Sequence, residues 1–233
     1  FCNATENGGG VYVNVTGASG NSFTMDDTAS IKSCTASSNG GAVCVEGGHA
    51  LMNSGSIDGG SSLRNAVFGG AVYVKGGSFT MENGVISNSR AGKNGGAVCV
   101  EDGSASMLSG TINSSTATEN GGAVSVNGGS FLLSGGLIGG TSDSDKCSAA
   151  YGGGVSVTGG TFTMNQTSLI AFCNATENGG GVYVNVTGAT SDDDGFTMSD
   201  TAAILNCTAS GNGGAICVEG GSASMSGGSI KSS

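Results

Sequence analysis

Three short runs of alternating apolar and polar residues, separated by glycine turns, recur along the whole chain. Val72-Tyr73-Val74 is followed by a Lys-Gly-Gly turn, then Ser78-Phe79-Thr80-Met81, a Glu-Asn-Gly turn and Val85-Ile86-Ser87. Alternation sends every second side chain to one face of a strand, so each unit predicts three short strands and one coil. The opening phrase is Gly-Gly, a small residue, Val or Ile, a variable residue and Val, as in Gly40-Gly41-Ala42-Val43-Cys44-Val45. Its anchor falls at Val11, Val43, Val72, Val98, Val124, Val155, Val182 and Ile216, with successive spacings of 32, 29, 26, 26, 31, 27 and 34 residues. The shortest spacing is the basic unit, and the longer ones carry inserted loops.

Aligned on that phrase, the units share apolar columns. The second strand supplies Met25, Met52, Met81, Met107, Leu133, Met164, Met198 and Met225, preceded two residues earlier by Phe or Ala. The third strand supplies Ile31, Ile57, Ile86, Ile112, Ile138, Ile170, Ile204 and Ile230. No single unit could bury its own apolar face, but stacked units form one continuous core. The Met and Phe residues therefore read as core.

Composition narrows the class further. The 233 residues include 47 glycines and no proline or tryptophan, too glycine-rich for helices. The glycine lacks the strict G-X-Y period of collagen. At 37% hydrophobic residues in fixed columns, the chain can form a core and is not a disordered linker. No apolar stretch approaches the ~18 residues of a membrane span. Residues 1–18 read identically to residues 172–189, so a super-repeat of about six coils fills 1–171 and restarts at 172. The whole of 1–233 reads as one repeat array, expected to be a segment of a longer chain whose open strand edges are covered by neighbouring repeats or another copy.

The stretches Ile86-x-x-Ser89-x-Ala91-x-x-x-Gly95-Gly96-Ala97-Val98 and Ile31-x-x-Cys34-x-Ala36-x-x-x-Gly40-Gly41-Ala42-Val43 resemble a known pattern. It is the paired F-x-x-N and G-G-A-[ILV] repeat of polymorphic outer-membrane proteins, bacterial surface autotransporter passengers. Here Ile stands for the motif Phe, and Cys or Ser for its Asn. The resemblance implies a right-handed parallel β-helix, secretion to the cell surface and adhesion. The expected fold is thus all-β: a right-handed parallel β-helix with three short strands per coil and about eight coils.

The eight cysteines fall in two columns. Cys2, Cys34, Cys173 and Cys207 stand nine residues before an anchor and Cys147 eight before, with Ser89 and Ser115 filling the column elsewhere. Adjacent coils lie ~4.8 Å apart, within the Cα separation of bridged cysteines, so Cys2 with Cys34, and Cys173 with Cys147 or Cys207, are candidate disulfides. Alternatively, cysteine serves there only as a small, buryable residue. The middle of the first strand holds Cys44, Cys99 and Cys217, expected to face outward as free or intermolecular thiols. Asn7, Asn39, Asn94, Asn120, Asn178 and Asn212, before the glycine pair, read as a structural ladder of stacked amides.

A net charge of −10 with only seven basic residues argues against nucleic acid as a partner. Acidic loops such as Asp192, Asp193 and Asp194 carry the oxygen ligands calcium prefers, but the nonapeptide calcium-coil signature is absent and no cofactor is expected. Two long loops, Asn14 to Ser22 and Asn185 to Gly195, occupy equivalent places six coils apart, making Asn14, Asn21 and the three aspartates candidate binding residues. Self-association and cell-surface glycans or proteins are the expected partners. The expected role is a non-enzymatic extracellular structural or adhesive rod or fibre. The competing class is a β-helix carbohydrate-active enzyme or carbohydrate-binding module, although no recurring acidic pair lies on a strand face.

Overall fold

The structure, a computed structural model, describes residues 2–17, 20–62, 64–188 and 195–232. The chain is an all-β parallel solenoid of about eight coils, with three strands per coil as the alternation predicts. Each strand pairs in parallel with its counterparts in the neighbouring coils, giving three eight-stranded sheets that run the length of the array. The valine sheet runs from Val11–Asn14 to Ile216–Gly220, the methionine sheet from Phe23–Met25 to Ser222–Met225, and the isoleucine sheet from Ser30–Lys32 to Ser229–Lys231.

Register follows the sequence columns residue for residue. Val98 pairs with Val72 and Val124, Met81 with Met52 and Met107, and Ile86 with Ile57 and Ile112. The inward side chains merge into one core along the axis. Phe131, Phe162 and Phe196 stack from coil to coil with centroids 5.7 and 5.0 Å apart. At the far end of the array burial depends on the neighbouring coil: Met198 is 1% exposed but Met225, in the last coil, is 49% exposed, and Ile204 and Ile230 differ in the same way, whereas Met25 in the first coil is 3% exposed.

The glycine pair at each corner answers two separate steric demands. Gly95 holds φ +65°, a left-handed conformation that costs a side-chain-bearing residue roughly 1–2 kcal/mol. Gly96 has no such φ; a Cβ there would run into the carbonyl oxygen of Gly122 in the next coil. The first glycine therefore turns the chain, and the second lets adjacent coils approach to hydrogen-bonding distance. A third glycine contact serves the core: a Cβ on Gly110 would lie 2.7 Å from Cε of Met81 in the coil below.

Two features go beyond the three-strand unit. Ser33, Asn88, Ser114, Phe172 and Asn206, immediately before the cysteine column, adopt φ of 49° to 53°, so the corner after the isoleucine sheet is also left-handed. Beyond it lies a two-residue strand, such as Arg90–Ala91 or Thr116–Ala117, which adds a short fourth ladder to the coil.

Gly96→Ala is expected to lower the unfolding free energy by about 1–3 kcal/mol or more, because the clash is with backbone. Val85→Thr, at an exposed strand position, should change it by less than about 0.5 kcal/mol. Urea unfolding followed by circular dichroism checks both, and equal effects would contradict the close-approach role of Gly96.

Candidate functional site

Alternation places the middle residue of every valine strand on the face turned away from the core. This column reads Tyr12, Cys44, Tyr73, Cys99, Ser125, Ser156, Tyr183 and Cys217. Apart from Tyr12, its members are nonetheless buried, with Cys44 and Cys99 at 0% exposure. Corner residues before the glycine pair cover one side of the column: Phe68 packs on Cys44, Tyr73 and Cys99, and Asn7 and Asn178 reach Glu46 and Glu219. The residue after the second valine rises on the other side. Between these two rims the outer face of the valine sheet is a trough.

Side chains hydrogen-bond across and along it. Tyr12 donates its hydroxyl to Glu46 at 2.6 Å, the Asn7 amide donates to the same carboxylate at 3.3 Å, and Asn14 donates to the Tyr12 oxygen at 3.4 Å. The arrangement recurs in the second copy of the super-repeat. There Tyr183 donates to Glu219 at 2.6 Å, Asn178 to the same carboxylate at 2.8 Å, and Asn185 to the Tyr183 oxygen at 3.1 Å. Midway along the array, Asn127 donates to Glu101 and accepts from Ser125 and Thr158.

Burial among apolar neighbours sets the protonation of this column. Cys44, Cys99 and Tyr73 form a cluster capped by Phe68. Desolvation pushes the Cys44 thiol up to about 12, and raises Cys99 and Tyr73 as well, with nearby glutamates adding to each shift. Tyr183 is pushed up to about 12 by burial and by its bond to Glu219. These thiols are poor nucleophiles held as neutral packing groups.

Over coils five to eight the trough widens into a cavity of about 560 Å³, lined by Glu119, Asn120, Ala150, Tyr151, Thr158, Tyr183, Asn185 and Glu219. The Tyr151 and Tyr183 rings lie with centroids 5.0 Å apart and planes at 38°. Tyr151 occupies the corner position held by asparagine in the coil before it, as the Asn120 to Tyr151 pairing shows.

Several sequence expectations change here. Cys44, Cys99 and Cys217 are free, and all three are buried although strand alternation turns them outward. The overhanging corner covers the face that strand alternation alone would expose. The asparagines do form a column, but it is interrupted by Phe68 and Tyr151, and Asn39 stacks between Asn7 and Phe68. The one direct amide-to-amide bond among the described residues of this column runs from Asn120 to Asn94 at 3.1 Å, whereas Asn7 and Asn178 turn to glutamates instead, and Asn178 also accepts from the Asn212 backbone N–H.

The other cysteine column stands at the corner after the isoleucine sheet. Its five members, Cys2, Cys34, Cys147, Cys173 and Cys207, are free thiols. Hydrogen bonding to Cys147 and Cys207 raises Cys173, and its bond to Cys173 lowers Cys207. In the third coil the column is filled by Asn65, whose amide donates to the carbonyls of Cys34 and Gly59 and whose oxygen accepts from the Arg90 N–H. Asn65 and Tyr151 are the residues that sequence reading missed: an insertion displaces the first from its column spacing, and the second breaks an asparagine pattern. Of the candidate loop residues, Asn14 closes the Tyr12 constellation and Asn21 is exposed. Asp192, Asp193 and Asp194 lie outside the described residues.

Among the described residues, no three His, Cys, Asp or Glu side chains gather as a metal-binding group, and no helix is long and apolar enough to cross a membrane. The chain matches no family model, no curated protein and no solved structure.

The raised thiols and phenols give a definite alkaline signature. Their folded values lie above the unfolded ones, so the unfolded chain releases protons first as pH rises. Their contribution to stability is complete below pH 9.0, the ordinary thiol value, and is lost as pH climbs toward about 12. Denaturation midpoints should fall across that window, and more shallowly in a Cys44→Ser, Cys99→Ser double variant. An unchanged slope in the variant would contradict the assignment.

Proposed function

We propose that the chain is a non-enzymatic structural and adhesive module of the cell surface, a stiff extracellular array that presents recurring surface features. The observation that carries this reading is the duplicated constellation Asn7, Tyr12, Asn14 and Glu46, repeated as Asn178, Tyr183, Asn185 and Glu219. Stacking requires only that the buried columns recur. Here a hydrogen-bonded surface arrangement recurs with them, six coils apart and hence ~29 Å along the axis. A rigid scaffold displaying the same feature at fixed intervals suits multivalent attachment, in which several weak contacts add. The resemblance to surface autotransporter repeats points the same way.

An oxidising exterior would also give the thiol column a role. Cys173 faces both Cys147 and Cys207, and Cys34 faces Cys2. Each bond would form by exchange with an external disulfide, which takes up the two electrons and two protons of the thiol pair.

Immunogold electron microscopy of the native material, with antibody against residues 1–233, tests the location. Label on surface rods or filaments is expected, and label confined to the cell interior would overturn the reading. In the same material, two bonds would reduce the eight thiols counted under denaturing conditions to four; eight reactive thiols would remove the crosslinks.

A further inference from the structure

We propose that the trough over coils five to eight is a binding subsite for a neutral saccharide. The proposal rests on the reading of the chain as an adhesive array and supplies the class of ligand it would hold. A cavity of about 560 Å³ falls within the size of ordinary small-molecule sites, roughly 300–1,000 Å³. Its walls mix two half-facing tyrosine rings with amide, hydroxyl and carboxylate groups of Asn120, Thr158, Asn185 and Glu219. A sugar ring has the matching surface: C–H faces that lie against aromatic rings, and an equatorial edge of hydroxyls that both donate and accept.

An independent observation comes from the outward column of the valine sheet, next to the cavity lining. Ser156 is 0% exposed and its hydroxyl has no hydrogen-bond partner. Buried hydroxyls in native proteins are almost always paired, and an exception calls for a missing partner. The contrast with the same column one coil earlier is direct, since Ser125 donates to Asn127 at 2.8 Å. In the sixth coil the rim residue is Thr158, whose hydroxyl also turns to Asn127, leaving Ser156 alone. Ser156 pairs in register with Tyr183 and stands two residues before Thr158, both of which line the cavity. A ligand hydroxyl seated between Tyr183 and Thr158 would supply the partner that Ser156 lacks.

Charge decides among ligands. No basic side chain lines the cavity, and Glu119 and Glu219 do, so sulfated or carboxylated sugars are repelled. Those carboxylates and rings would also attract an ammonium group. Glu219, however, is already bonded through both oxygens, to Asn178 and Tyr183. Its remaining capacity suits a hydroxyl donor better than an ion pair.

Saturation-transfer NMR on the 233-residue chain, with maltotriose, cellotriose, mannotriose, galactotriose and chitotriose as probes, tests the assignment. At least one trisaccharide should bind at roughly 10 mM or below. Tyr151→Asn, which installs the residue found at this corner in most coils, should weaken that binding about tenfold, and Ser156→Ala severalfold. Circular dichroism of both variants should be unchanged. No trisaccharide binding, binding indifferent to Tyr151→Asn, or binding of trilysine or choline in place of the sugars would each overturn the proposal. If the sugars fail while the material is found on surface filaments, the saccharide assignment falls and the array reading stands.

Discussion

Each coil of this protein is buried by the coils on either side of it, and every other feature depends on how closely those coils can approach. Parallel strands must lie ~4.8 Å apart to hydrogen-bond. At that spacing, an inward valine, methionine or isoleucine finds its counterpart above and below, and the apolar surface leaves water only when the stack forms. Met225 and Ile230, in the last coil, remain half exposed although they occupy the same columns as fully buried residues, while Met25 in the first coil is covered by the one coil beside it. Stability is thus a property of the interfaces between coils.

The glycine pair follows from that constraint. Gly95 and its equivalents turn the chain through left-handed backbone, and Gly96 and its equivalents clear the carbonyl of the next coil. On the outer face of the valine sheet, corner residues and the residues after the second valine wall a trough. Within it Cys44, Cys99 and Ser156 are buried on the side of the strand that would otherwise face water.

This explains what could and could not be read from the chain. The strands, the core columns and their register were legible because the same apolar columns recur in every coil from Val11 to Ile230, with insertions confined to the connections between strands. The burial of the middle column was not, since it depends on the overhang of the corner and alternation reports only direction. The left-handed corner after the isoleucine sheet was also hidden: Phe172 is no turn residue by type, yet it occupies the same backbone position as Asn88 and Asn206. Asn65 substitutes in the cysteine column behind an insertion, and Tyr151 replaces an asparagine. Both are departures from a repeat, visible only once the coils are superposed. The duplicated tyrosine and glutamate constellation joins residues of neighbouring coils, so it becomes apparent only when the strands are in register.

Amide hydrogen exchange tests the mutual burial of coils most directly, because it reports opening locally. Backbone amides of Val98–Val100 and Val124–Val126 should exchange far more slowly than those of Val11–Asn14 and Ile216–Gly220, with protection declining toward both ends of the 233-residue chain. Protection that is uniform along the array, or absent from its middle coils, would contradict the account.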